Sequence, residues 1–125
     1  MATTPKKSNG TSKSGSPQVQ ALKTSVKEVC TLLKVLANRD RLLILNQLLD
    51  GEKNVRELEG LLGIRQPTLS QQLTILRSEE LVETDRRGKY IYYSLDSFEV
   101  TEILLTLHRL CTDRDKKRIR RKLTK

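Results

Sequence analysis

The 125-residue chain has no tryptophan and only four aromatic residues, one Phe and three Tyr. Its core must therefore be aliphatic and modest in size, and a partner subunit would enlarge it. No apolar run approaches the ~18 residues needed to cross a bilayer, and the opening MATTPKKSNGTSKSGSPQ lacks the apolar stretch of a secretory signal. These absences point to a cytoplasmic protein with no membrane partner. There is one histidine, and the two cysteines, Cys30 and Cys111, fit no zinc spacing. A glycine-rich phosphate loop is missing as well, and no nucleophile has a visible base. The expectation is no enzyme, no metal and no cofactor.

Basic residues are what the chain has in excess. The net charge is +9, but the excess sits at the ends. Lys6, Lys7 and Lys13 face no acid in residues 1–17, and eight basic residues oppose two acidic ones in residues 113–125. Residues 18–112 are neutral, with 13 charges of each sign. The sequence thus reads as a disordered basic arm (1–17), a folded domain (18–112) and a basic C-terminal tail (113–125). Basic ends suit a polyanion, though a solvated tail is the simpler account of them.

Within the domain, Leu22, Val26, Val29, Leu33 and Leu36 recur at steps of four and three, which predicts a first helix with one apolar stripe. Asn38 ends it. Leu42, Leu43, Leu45, Leu48 and Leu49 make a second, largely buried helix that stops at Asp50-Gly51. Asn54 with Glu57 has capping-box spacing and starts a short third helix closed by Gly63. Pro67, tolerated in a first helical turn, opens a fourth helix anchored by Leu69, Leu73 and Leu76. After Leu81 the period falls to two. LVETDRR and KYIYYSL read as strands turning at Gly88. Ser97 caps a last helix carrying Val100, Ile103, Leu104, Leu107 and Leu110. The fold class is mainly α with one β-hairpin, in the order α-α-α-α-β-β-α.

The third and fourth helices, joined through Gly63-Ile64-Arg65, have helix-turn-helix form. With the leucines of the fourth buried, Thr68, Gln71 and Gln72 point outward and Ser70 lies at the edge. Gln can pair with adenine edges, and Ser and Thr can bond bases or phosphates. No acid occurs between Glu59 and Glu79 to repel phosphate. Arg86, Arg87 and Lys89 crowd the hairpin tip, where cations can lie along a DNA backbone. Arg65 and Gln66, at the entrance to the fourth helix, complete the candidate DNA-binding set. Helix, turn and tip together read as a winged helix-turn-helix. A neutral solvated face is the alternative for the glutamines alone, and a protein-binding winged helix is the alternative for the whole.

LLKVLANRDRLLIL, followed by ELEGLLGIRQPTLSQQLTILRSEELVETDRRGKYIYYSL, resembles the ArsR/SmtB class of bacterial repressors over roughly residues 20–112, and among its subgroups the biofilm-growth-associated and hemolysin-regulator-like repressors. The resemblance implies a homodimer that binds double-stranded DNA at an inverted-repeat operator and lets go when a signal arrives. It puts recognition on Thr68, Ser70, Gln71 and Gln72, and the wing on Arg86, Arg87 and Lys89. Apolar stripes on the first and last helices suit a dimer formed through both.

Metal-sensing members carry Cys-x-Cys in the third helix, where this chain has Val55-Arg56-Glu57-Leu58-Glu59, or several His on the last helix, where it has Asp96 and His108. In the resembling subgroup some members respond to reactive sulfur through two thiols, one on the second helix and one near the end of the last. Cys111 lies close to the latter position. The former falls near Asn46, so Cys30 on the first helix would have to replace it. The expectation is a Cys30–Cys111 redox switch; a repressor with no inducer and structural cysteines is the alternative.

Overall fold

The computed structural model describes residues 16–111, 118 and 120–122. Residues 1–15 of the expected arm, and residues 112–117, 119 and 123–125 around the expected tail, lie outside the described residues. The chain divides into two units between Ala37 and Asn38.

The described part of the first unit is helix α1, Pro17–Leu36. It starts five residues before the leucine stripe because Ser16 and Pro17 form a start signal. The Ser16 Oγ accepts from the Val19 N–H at 3.2 Å, and proline costs nothing in a first turn whose N–H groups lack intrahelical partners. The stripe it carries is exposed over most of its length, with Val19, Leu22, Val26, Val29 and Leu33 each at least 40% accessible, and is buried only at its end, at Leu36.

The second unit holds everything else. Asn38 does not merely end α1. Its Oδ1 accepts from the Arg41 N–H at 3.0 Å and caps α2, Arg39–Leu48. A two-residue strand, β1 (Lys53–Asn54), leads into α3, Val55–Leu62. The capping box is present in both directions, with Asn54 and Glu57 each accepting from the other's backbone N–H at 2.9 Å. Gly63, at φ 69°, closes α3 in the left-handed region that suits glycine. Helix α4 spans Gln66–Ser78, so Pro67 stands one place inside its first residue. Strands β2 (Val82–Arg87) and β3 (Tyr90–Leu95) form the hairpin, and α5 runs Phe98–Leu110. The Ser97 Oγ caps α5 by accepting from the Val100 N–H at 3.2 Å.

The sheet has three antiparallel strands in the order β1-β3-β2. Strand β1 is the addition to the expected hairpin, pairing Lys53 with Tyr93 and Asn54 with Tyr92. The core of this unit is aliphatic, as the shortage of aromatics requires. Ile44 and Leu45 of α2, Leu58 of α3, Leu69, Leu73 and Leu76 of α4, and Val100 and Leu104 of α5 are almost wholly buried. These three leucines fix which face of α4 turns inward, and therefore which residues face out.

The stripe on α5 is buried only in its first half. Leu105, Leu107 and Leu110 remain exposed. Among the described residues, no helix is long and apolar enough to cross a membrane.

Candidate nucleic-acid interface

The outward face of α4 follows from its inward one. Arg65, Gln66, Thr68, Ser70 and Gln71 are exposed beside the buried Leu69 and Leu73. Arg65 occupies the N-cap position without a side-chain cap, so the helix entrance keeps backbone donors for water or an anion. Gln72 differs from the other four. It is half-buried, and its Oε1 accepts from Nη1 of Arg41 on α2 at 2.9 Å. Gln71, one position earlier, has no such partner among the described residues.

The wing also departs from its sequence reading. Period two along β2 puts Asp85 and Arg87 on one face, with Tyr90 and Tyr92 across from them on β3. Arg87 is held from three sides. Its Nη1 and Nη2 meet the two carboxylate oxygens of Glu52 at 2.6 and 2.7 Å, its Nε meets Asp85 at 2.9 Å, and its guanidinium lies 4.5 Å from the Tyr92 ring centre. The bidentate fork is the geometry that makes Arg–carboxylate pairing strong. The hydrogen bond from Arg87 holds the Glu52 carboxyl below the usual glutamate range, and Glu52 in turn raises Arg87 further above its own.

Arg87 is thus a strut between the hairpin and the segment before α3, with its charge opposed by two carboxylates. Arg86, on the other face, has no partner among the described residues. Lys89 lies over the Tyr90 ring at 5.5 Å. Gly88, at φ 63°, makes the turn between them. The sequence brought three cations to this tip, and the structure leaves two of them uncommitted to any carboxylate. The spacing of Asp85 and Arg87 was a usable signal for the strut; Glu52, 35 residues away, was not.

Cys30 on α1 and Cys111 at the end of α5 are free and exposed. Asn46, at the position where the resemblance expects a thiol, instead lines an open cleft of about 520 Å³ with Leu43, Leu49, Asp50, Leu105 and His108. Among the described residues, no group of three or more His, Cys, Asp or Glu is arranged to hold a metal ion. Of the basic tail, Arg118, Arg120, Arg121 and Lys122 are helical and exposed.

The helix-turn-helix and the start of the wing, residues 38–84, match the family described as bacterial regulatory protein, arsR family. The biofilm growth-associated repressor of Xylella fastidiosa is 44% identical over 86 residues, which are 68% of this chain and 75% of that protein. The transcriptional activator HlyU of Vibrio cholerae is 40% identical over 97 residues, 77% of this chain and 90% of that one. The crystal structure of the transcriptional repressor BigR from Xylella fastidiosa superposes with a TM-score of 0.70 at 39% identity, covering 74% of this chain and 95% of that one. With both the fold and the sequence matched over most of these relatives' length, the chain belongs to the arsR family of bacterial regulatory proteins and is a winged-helix, DNA-binding transcriptional regulator rather than an enzyme.

Proposed function

We propose that the protein is a homodimeric repressor that binds an inverted-repeat operator and is released by a thiol-directed signal. The observation that carries the DNA reading is the outward face of α4. Arg65, Gln66, Thr68, Ser70 and Gln71 stand exposed on a helix entrance with no acid anywhere from residue 60 to residue 78. Thr68, Ser70 and Gln71, together with Gln72, read base edges in the major groove, while Arg86 and Lys89 contact phosphate beside it. Arg87 contributes by holding the wing in place, and by phosphate contact only to the extent that Glu52 and Asp85 release it.

Dimerisation is supported by the exposed stripe of α1 and the exposed second half of the α5 stripe. Apolar surface in continuous rows is the kind that a second copy covers. Repression is supported by the relatives named as repressors. A relative named as an activator makes the sign of regulation worth measuring, and transcription in vitro from the bound promoter gives it directly.

For the signal, the support is that both thiols are exposed and free, as a reactive pair must be. An oxidant or polysulfide would link Cys30 to Cys111, within or between protomers, and weaken operator binding. The tail from residue 113 to residue 125 would add affinity through flanking phosphates without adding specificity.

The test is fluorescence anisotropy on DNA from upstream of the protein's own gene, with reduced and persulfide-treated protein over a salt series. Tight, salt-sensitive binding by the reduced form and its loss on treatment are expected. Binding that ignores salt would refute the phosphate-contacting interface. Equal binding in both states would refute the thiol switch and leave the repressor standing.

A further inference from the structure

The two neighbouring glutamines of α4 do not present the same chemistry, and the reason lies outside the helix-turn-helix. Arg41 stands in the first turn of α2, 31 residues before Gln72, and its Nη1 donates to the Gln72 Oε1 at 2.9 Å. Both side chains are half-buried, where a charge-assisted hydrogen bond is less exposed to competition from water. A guanidinium carries donors only. It therefore fixes which end of the carboxamide is which, an assignment that is ambiguous for most glutamines. The oxygen faces Arg41, and the amino group is the end left to point elsewhere.

We infer that Arg41 is a positioning residue for base recognition, restricting Gln72 to the role of hydrogen-bond donor. Reading adenine with both ends of a carboxamide requires the oxygen to accept from N6 while the nitrogen donates to N7. Gln71 is exposed and lacks a protein partner among the described residues, so it keeps both ends and can make that pair. Gln72 has its oxygen drawn toward Arg41, which fills one of its two lone pairs and holds it on the α2 side, so Nε2 is the end presented to a base. Its partners are acceptor edges: purine N7, guanine O6 or thymine O4. Two adjacent, identical residues thereby read different edges, and the distinction is imposed from α2.

The inference rests on the operator-binding reading and is tested so that the two can fail separately. Wild type and the R41M, R41K and Q72L variants are each used to select from a pool of duplexes randomised across one half-site. Affinities are then measured on the selected sequences and on their single-base variants, including 7-deazapurine substitutions. Wild type should show one half-site position that prefers acceptor edges. R41M, of similar length but without a donor, should allow the carboxamide to turn over. The preference at that position should then fall by about tenfold, the scale of one base contact, while the others hold. R41K keeps a donor and should keep the preference. Q72L leaves Arg41 in place and should erase preference at the same position.

A wild-type preference that survives R41M, whether or not Q72L erases it, would overturn the inference while leaving the repressor reading intact. So would loss of preference spread evenly over the half-site in Q72L. If R41M fails to fold, the R41K and Q72L profiles decide by the same criterion. No sequence preference in the wild type would refute the repressor reading, and this inference with it.

Discussion

At the scale of single residues, the end of α4 shows a position where the sequence works against its backbone. The Leu81 N–H donates to the Leu76 carbonyl and the Glu80 N–H to the Arg77 carbonyl, which is the pairing of a Schellman motif. That motif requires a left-handed residue, and the residue supplied is Glu80, at φ 61°. A side chain there crowds the following carbonyl at a cost of roughly 1 kcal/mol. Glu80 is exposed, and among the described residues its side chain has no hydrogen bond or ion pair that offsets this. Glu80→Gly should therefore raise stability by about 0.5–1 kcal/mol, read as a higher urea midpoint with an unchanged slope. An unaltered or lower midpoint would show that Glu80 is held by something other than the turn. The opposite case is Asn54, buried at the start of α3, where side chain and backbone agree. Asn54→Ala removes the acceptor from the capping box and should cost about 1 kcal/mol, measured in the same titration.

At the scale of elements, the wing is held by a contact the hairpin does not contain. Because the Glu52 carboxyl sits below its ordinary range in the folded protein, its pairing with Arg87 is complete at any pH above the ordinary glutamate range. The pairing persists through that range and fades only as pH falls below it, through the lowered pKa of Glu52. DNA binding measured between neutral pH and mildly acid pH should accordingly show no step attributable to this pair. Glu52→Ala is the sharper test. It leaves Arg87 opposed by Asp85 alone, so the guanidinium can reach phosphate. The slope of log affinity against log salt should steepen by up to about 0.9, the increment for one added phosphate contact. An unchanged slope would mean that Arg87 stays a strut without Glu52. This contact also shows where reading the sequence reaches its limit. Most signals with a short range were legible: the Asn54–Glu57 box, Gly63, the Leu69, Leu73 and Leu76 face, and the Ser97 cap. Ser16-Pro17 was equally local, but it lies ahead of the leucine periodicity and was absorbed into the arm. Strand β1 is two residues long and exists only because Tyr92 and Tyr93 lie beside it, so no periodicity could announce it. Likewise Arg87 meets Glu52 and Arg41 meets Gln72 across 35 and 31 residues. Residue type and spacing nominated the candidate DNA-facing residues, whereas which of them are tied to the rest of the fold, as Arg87 is to Glu52 and Gln72 to Arg41, depends on long-range packing.

At the scale of the whole molecule, the exposed stripe of α1 is where the proposed dimer is put to the test. Leu22 is 61% accessible, and Val26 and Val29 are each 50% accessible. Side chains this open contribute little to folding of the monomer. A charge placed among them should therefore leave the helix-turn-helix folded and act on assembly alone. If a second copy covers the stripe, two-fold symmetry sets two α4 helices one DNA turn apart, about 34 Å. Each half-site then binds with the other already in place, and that linkage is worth on the order of 10²-fold or more over a single half-site. The double variant Leu22→Glu with Val26→Glu should halve the particle mass in sedimentation velocity while leaving the circular dichroism of the helices unchanged. Its affinity for an operator with both half-sites should drop by on the order of 10²-fold, to the level of a fragment carrying one. Binding to that single half-site should be little changed, because the α4 face and the wing are untouched. Should the variant remain dimeric, the stripe is not the interface, and the second half of α5, with Leu105, Leu107 and Leu110 exposed, becomes the surface to charge next.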